Sequence, residues 1–292
     1  MHRPRSAAFD PAQPAFPMPH HAPPLPMQTV PMPLPPPSIP VHRVWADNLE
    51  PELDFLHNFA GNARYAAVNI HYPGVVHGTK QNHSLMTADE RYGAMKANVD
   101  ALKPIQVGIT IYNDNGHVAA WEFNLRGFHP AADPHAPSSV KYLESRGLSF
   151  RDHQAHGITA ARLAAGLNSC GLFNRLGISW VTYTGASHIA YLMKVLSAGD
   201  PLPDDLGGFL NMVRQLLSED VYDVARMAVD CGLPAGLERV ASTLHLVPAA
   251  LSPQLAGAGS VLALQAFMRL KDNELGGDVN RFRGLIHGIQ VV

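Results

Sequence analysis

The pattern of apolar and polar positions along the chain switches repeatedly between strand and helix periodicity. Residues 64–72 contain a run of small and β-branched residues, which is typical of a buried strand. Two further strands are predicted at 105–112 and 118–124, joined by the hairpin turn Asn-Asp-Asn-Gly at 113–116. A fourth, short buried strand is predicted at 178–184. These runs predict that a sheet lies in the core of the protein.

Helical periodicity marks the segments between and after these strands. Apolar residues recur at the spacing of one helix face near 44–59, 90–102, 138–146, 157–171, 186–196, 206–217, 235–245 and 256–270. Residues 221–224 fit either a strand or the start of a helix. An early hairpin followed by helices, with a strand returning midway, indicates an α/β fold in which helices cover a mixed sheet.

Composition changes at about residue 40. Residues 1–40 are rich in proline, histidine and methionine, and proline removes backbone donors and disfavours both helix and sheet. We expect a disordered, proline-rich tail, with docking to a proline-binding module as the alternative. The folded domain is then expected to span 41–292.

Charge and hydropathy exclude several classes of partner. The formal net charge of the 292 residues is −2, so no overall basic field indicates binding to DNA. No apolar stretch approaches the ~20 residues of a membrane span, and the N-terminus lacks the apolar core of a signal peptide. Cys170 and Cys231 are predicted to be buried free thiols in a reducing compartment. We expect a protein of the nucleus and cytoplasm, without a membrane partner.

Two polar side chains, Asn69 and His71, stand at the end of the predicted strand 64–72. Positions two apart on a strand point to the same face, and the Pro-Gly pair at 73–74 then ends the strand. Both side chains are therefore expected to project together from the end of a core strand, where a nuclease would hold metal-binding carboxylates. Neither residue is a carboxylate.

Short sequence blocks along the chain follow in an order that is typical of one protein family. They are VWADNL at 44–49, YPGVV at 72–76, NVDALK at 98–103, IQVGIT at 105–110, WEFN at 121–124, WVTY at 180–183, YLMK at 191–194, LP at 202–203 and VYD at 221–223, with two more at 266–271 and 284–288. The set resembles the CAF-one (Pop-two-like) deadenylases, the poly(A)-specific 3′-exoribonuclease subunits of the CCR–NOT mRNA-decay complex. The resemblance covers about 41–292 and implies a ribonuclease H-like mixed sheet flanked by helices, of the DEDD exonuclease type.

The resemblance also implies where a catalytic site would lie. In that family four carboxylates hold two divalent metal ions, magnesium or manganese, and a histidine acts as general base. The positions that match the D-x-E pair of the first strand carry Asn69 and His71. The position of the third carboxylate carries His188. The last segment has Gln254 at the histidine position and Gly259 at the aspartate position.

The acidic residues are missing whatever the exact alignment. No Asp or Glu occurs in 56–87, 182–199 or 240–271. We therefore expect a catalytically impaired or inactive copy that needs no cofactor, with magnesium or manganese required only by an active one. The leading hypothesis is a binding or regulatory subunit that docks on the CCR–NOT scaffold and a CCR-type nuclease, with weak or no binding of poly(A) RNA. The alternatives are an active deadenylase with altered metal ligands and a relic without a role.

His71 and His188 allow a second interpretation of the site. They are expected to face each other across the cleft, where a histidine pair could hold zinc. Two partly exposed histidines in a relict pocket are the favoured interpretation, because no third ligand is evident.

Other residues are predicted to serve the fold alone. Asp223 is interpreted as structural, since it matches a family position that is not a metal ligand. The predicted core tryptophans are Trp45, Trp121 and Trp180, and the lysines predicted to lie on solvated helix faces are Lys80, Lys96, Lys103 and Lys194.

Overall fold

A six-stranded sheet organises the part of the chain that the computed structural model describes, which is residues 39–78, 83–246 and 255–290. Its strands are β1 (Val41–Val44), β2 (Ala63–His71), β3 (Gln106–Asn113), β4 (Val118–Asn124), β5 (Ser179–Thr182) and β6 (Val221–Asp223). Their order across the sheet is β1-β4-β3-β2-β5-β6. The predicted tail lies almost entirely outside the described residues, so its disorder stays a prediction.

The strand pairing confirms the predicted mixed sheet. β2 pairs antiparallel with β3 and parallel with β5. β3 and β4 form the predicted antiparallel hairpin, while β1 runs parallel to β4 and β6 runs parallel to β5. Across the β2–β3 pair, Asn69 lies opposite Gly108 and His71 lies opposite Gln106.

Helices cover both faces of the sheet. Within the described residues they are α1 (Leu49–Ala60), α2 (Ala88–Ala101), α3 (Pro137–Ser145), α4 (Phe150–His156), α5 (Ala160–Ser169), α6 (Gly185–Leu196), α7 (Leu206–Leu217), α8 (Val224–Asp230), α9 (Leu237–Thr243) and α10 (Ala256–Arg269), with short helical turns at His83–Leu85, Leu270–Glu274 and Asn280–Phe282. Across this part of the chain, no helix has the length and apolar character that crossing a membrane requires.

Alternation along β2 decides which side chains face which helices. Ala66, Val68 and Ile70 pack in the core formed with α1, α2, α5 and α6. Tyr65 and Ala67 point to the other face and pack with α8, α9 and α10. Because a strand alternates with a period of two, the next odd-numbered positions, 69 and 71, also face α10.

Two elements differ from the prediction. Residues 41–44 form a strand, and the first helix begins only at Leu49. This strand has four residues and pairs in parallel with β4 at the sheet edge, so it is too short to show a clear alternation. The second element, α4, has Phe150 and His153 as its buried residues, which gives it a weak apolar periodicity.

Asp223 is structural, as predicted. Its carboxylate is buried and accepts four backbone N–H bonds, from Thr184 at 2.9 Å, Gly185 at 2.7 Å, Ala225 at 3.1 Å and His287 at 2.9 Å. β6 ends at this residue and α8 begins directly after it, so both alternatives for 221–224 occur in turn. The carboxylate therefore ties the start of α6 and the C-terminal segment to the sheet.

The predicted burial of the tryptophans and cysteines is confirmed for some of these residues and not for others. Trp121 and Trp180 are buried. Trp45 is instead partly exposed and packs edge-on against His153, with 5.2 Å between the ring centroids. Cys170 is a buried free thiol, whereas Cys231 is free but only partly buried.

The lysines do not all lie on solvated helix faces. The Nζ atom of Lys194 donates at 2.7–2.9 Å to three carbonyls at the end of α2, those of Val99, Asp100 and Leu102. A cation at a helix C-terminus is favourable, so Lys194 serves the packing of α6 on α2. Lys96 is also partly buried and bonds to Asp100 at 2.7 Å, while Lys103 is exposed as predicted. Lys80 lies outside the described residues.

Candidate functional site

The structure brings four of the five family-matched positions together at the C-terminal end of β2. Asn69 and His71 end this strand, His188 lies in the first turn of α6, and Gly259 lies in the first turn of α10. His188 bonds to the β2 backbone and interacts electrostatically with His71, and Gly259 packs against Asn69. Gln254, which matches the general-base position, lies outside the described residues. That these positions correspond to the family's acidic residues stays a prediction.

His188 serves the sheet as a hydrogen-bond acceptor. In the described structure β2 pairs with β5 as far as Ala67. Beyond that point the backbone N–H of Ile70 donates to Nδ1 of His188 at 3.0 Å. An accepting ring nitrogen carries no proton, so the neutral ring has its proton on Nε2. Burial lowers the pKa of His188 to about 4, which keeps the ring neutral near pH 7.

His71 is also held in its neutral form. Burial, followed by the neighbouring His188, lowers the pKa of His71 to about 4, while a hydrogen bond with the Gln106 side chain acts in the opposite direction. The Nδ1 atom of His71 is enclosed and has no hydrogen-bond partner among the described residues. The two histidines therefore add no charge to the site near pH 7.

Gly259 and Asn69 fill the space between β2 and α10. A Cβ atom on Gly259 would lie 2.3 Å from Nδ2 and 2.9 Å from Cγ of Asn69. The same amide nitrogen donates to the carbonyl oxygen of Ala256 at 3.5 Å. On β3, a Cβ atom on Gly108 would lie 1.9 Å from that carbonyl oxygen. The first turn of α10 thus rests directly on the sheet, and a side chain at 259 requires Asn69 to move.

Two polar residues beside the site, Gln106 and Glu122, are not among the predicted site residues. They accept the first N–H groups of α10: Ala256 donates to Oε1 of Gln106 at 3.4 Å, and Gly257 donates to Oε2 of Glu122 at 2.9 Å. Burial raises the pKa of Glu122, although the N–H of Gly257 acts against it. A signal for both was present, because they are polar positions in otherwise apolar strands and Gln106 lies beside His71 in the sheet.

A cavity of about 370 Å³ opens beside Asn69 and His71. Its other walls include Tyr142 from α3, Leu237, Glu238 and Arg239 from α9, and Leu262 from α10. Glu238 forms an ion pair with Arg146 across the edge of the cavity. The carboxylate among the described lining residues is therefore already paired with a cation.

The residues present do not fit the two-metal centre that the resemblance implies. Among the residues that the structure describes, no group of three or more His, Cys, Asp or Glu side chains could hold a metal ion. Magnesium and manganese prefer carboxylate and other hard oxygen ligands, and none of the matching positions carries a carboxylate. For the zinc alternative, Nδ1 of His188 is already used by Ile70. The zinc pair stays a prediction.

Comparison with known proteins gives relatives over nearly the whole chain. The family model described as CAF1 family ribonuclease matches residues 44–162. An Arabidopsis thaliana protein named "Probable CCR4-associated factor 1 homolog 10" is 31% identical over 267 residues, which are 87% of this chain and 94% of the relative.

Two solved structures have a similar fold. S. pombe Pop2p in a form with bound Mg²⁺ and Mn²⁺ gives a TM-score of 0.77 at 26% identity, over 85% of this chain and 99% of the other. A chain in the structure of the yeast NOT1 MIF4G domain co-crystallised with CAF1 gives a TM-score of 0.68 at 26% identity, over 88% of this chain and 100% of the other. These likenesses confirm the expected ribonuclease-type fold.

Proposed function

The chain belongs to the CAF1 ribonuclease family, and from this premise we propose that it is a binding subunit of the CCR4–NOT complex with little or no nuclease activity. It takes the place of the nuclease subunit on the scaffold protein and beside a CCR-type nuclease. By competing with active relatives for that place, it reduces the rate of deadenylation.

Loss of catalysis is supported by one observation: the four matching positions that the structure describes lie together, and none of the five carries a carboxylate. Two-metal phosphodiester cleavage needs several negative ligands to offset the charge of the ions and to hold them in place. The neutral pair of His71 and His188 supplies no such charge. Without the ions, the developing charge on the phosphate loses what is usually the largest source of its stabilisation.

Retained partner binding requires that the family's fold is kept around the site. The Oδ1 atom of Asn98 accepts the N–H groups of Val76 and His77 at 2.8 and 2.9 Å, which fixes the segment that follows β2. Asn98 belongs to a block that matches the family pattern. The names of the relatives point to the same assembly, since one is called a CCR4-associated factor and another CAF1 chain was crystallised with a NOT1 domain.

A gel assay tests the loss of catalysis. The purified full-length chain is incubated with 5′-labelled oligo(A) in Mg²⁺, Mn²⁺ and Zn²⁺ in turn, with an active family member as the positive control. We expect no shortening in any of the three metals, and weak or absent oligo(A) binding. Metal-dependent shortening that Asn69→Ala or His71→Ala abolishes would contradict the proposal and favour an active deadenylase with altered ligands.

Co-purification tests the partners. We expect the full-length chain to form a stable complex with the NOT1-type scaffold domain in size-exclusion chromatography, and to displace an active relative from it. Failure to bind the scaffold would contradict the proposal and favour a relic without a role. A protein that acts in this complex is expected in the nucleus and cytoplasm, which fluorescence microscopy of the tagged chain would check.

A further inference from the structure

We propose that Asn69, His188 and Gly259 now have a structural role: with His71 beside them, they form an uncharged, closely fitted cluster that fixes the end of β2 between α6 and α10. Carboxylates restored to these positions would therefore weaken the fold and would not create a metal centre. The inference goes beyond the proposed function, because a site that had merely lost its ligands would gain no stability from the residues that stand in their places.

The contact between Gly259 and Asn69 reverses an ordinary rule of helix stability. Inside a helix alanine is favoured over glycine, by an amount that raises the Tm of a domain of this size by about 2–4 °C. At position 259 the new Cβ atom would lie 2.3 Å from Nδ2 and 2.9 Å from Cγ of Asn69. The amide cannot turn away without losing its contact with the Ala256 carbonyl. Alanine at 259 is therefore expected to destabilise.

His188 supplies a bond that the sheet needs. Ile70 is 1% exposed, and its buried N–H donates to Nδ1 of His188. An unpaired buried N–H costs free energy, and a full negative charge in the same enclosed place costs more unless it is paired. A neutral acceptor thus suits position 188 better than an aspartate does.

A set of glycine substitutions in the full-length chain tests the fitted contact. Gly93→Ala, on the exposed face of α2 with open space around it, is the control and is expected to raise the Tm by about 2–4 °C. Gly259→Ala is expected to lower the Tm. In an Asn69→Ala background Gly259→Ala is expected to raise it, because the nearest remaining atom of residue 69, Cβ, lies 3.5 Å away. A rise in Tm with Gly259→Ala alone, as large as with Gly93→Ala, would overturn the proposal.

A restored variant tests the metal centre. The full-length chain carrying Asn69→Asp, His71→Glu, His188→Asp and Gly259→Asp is expected to melt below the wild type, with a Tm that excess Mn²⁺ does not raise. A Tm that Mn²⁺ raises in this variant and not in the wild type would overturn the proposal. If this variant does not fold, the Tm changes of the glycine substitutions decide whether the cluster has a structural role.

These melting experiments are independent of the tests of the proposed function, because they involve neither RNA nor a partner protein. A chain without nuclease activity in which Gly259→Ala stabilises would keep the proposed function and lose the structural role of the cluster.

Discussion

Acid is expected to destabilise this protein through His71 and His188. Burial is the main cause that lowers the pKa of both from 6.5 to about 4. Between those two pH values the unfolded chain binds more protons than the folded chain, so the free energy of unfolding rises with pH across the window. This contribution is fully present above pH 6.5 and is lost as the pH falls to about 4.

The size of the effect follows from the same pKa values. A pKa lowered from 6.5 to about 4 corresponds to about 3 kcal/mol for each histidine, which is an upper bound because both residues retain some exposed surface. Asp223 acts in the opposite direction. Burial raises its pKa from 3.8 to about 6, so the folded chain holds the extra proton in that range and stability falls by about 3 kcal/mol as the pH rises. For these three groups alone, two histidines against one aspartate leave a net rise of at most about 3 kcal/mol.

Urea unfolding followed by tryptophan fluorescence measures this dependence. His188→Asn keeps an acceptor oxygen close to the place of Nδ1 but does not titrate, and it also removes the effect of His188 on the pKa of His71. We expect the rise in the free energy of unfolding between pH 4 and 6.5 to shrink by up to about 3 kcal/mol in this variant, and His71→Gln to have a similar effect. A pH dependence equal to that of the wild type in both variants would refute the reasoning.

Three further pairs of substitutions address the scaffold, each measured by urea unfolding at neutral pH. Asp223→Ala leaves four buried N–H groups without their acceptor and is expected to lower the free energy of unfolding by more than about 3 kcal/mol. Asp223→Asn keeps one acceptor oxygen and should lower it less. Equal losses of stability in the two variants would contradict the structural role of Asp223. Lys194→Met removes the donor to three carbonyls and should cost about 1–3 kcal/mol, against less than about 1 kcal/mol for the exposed Lys103→Met. Glu122→Gln keeps an acceptor for Gly257 and should be more stable than Glu122→Ala by about 1–2 kcal/mol; the reverse order would show that the bond does not matter.

Local patterns were sufficient to predict most of the sheet. The strand at 63–71 and the hairpin at 106–124 carry long apolar or alternating runs, with a clear turn between the hairpin strands. The residue types alone therefore indicate that these strands are buried. The odd-numbered residues of β2 could likewise be assigned to one face, because strand periodicity alone places Asn69 and His71 together. The sheet-edge strand β1 could not be predicted, since four residues carry no distinct period.

The details of the site depend on contacts between distant segments. Nothing in the sequence near Gly259 indicates that its missing side chain leaves space for Asn69, because that contact joins residues 190 positions apart. The role of His188 depends on β5 ending its pairing with β2 at Ala67, which leaves the N–H of Ile70 for the ring. Sequence reasoning could assign these residues to one site but could not predict that they pack and bond to one another.

The parts of the family pattern that this chain retains and the parts that it is predicted to have lost differ in what stabilises them. Asn98, Lys194 and Asp223 all bond to backbone groups of this chain, so the fold needs them whatever chemistry the protein performs. Clustered carboxylates at the end of β2 would instead have favourable partners only while metal ions were bound; without ions their mutual repulsion and their burial destabilise the fold. Under the proposed function no ions are needed there. Neutral side chains that bond to the backbone of Ile70 and Ala256 then stabilise the fold more than carboxylates would. If the proposed function holds, these two energetic conditions lead to a scaffold that is kept and a ligand set that is replaced.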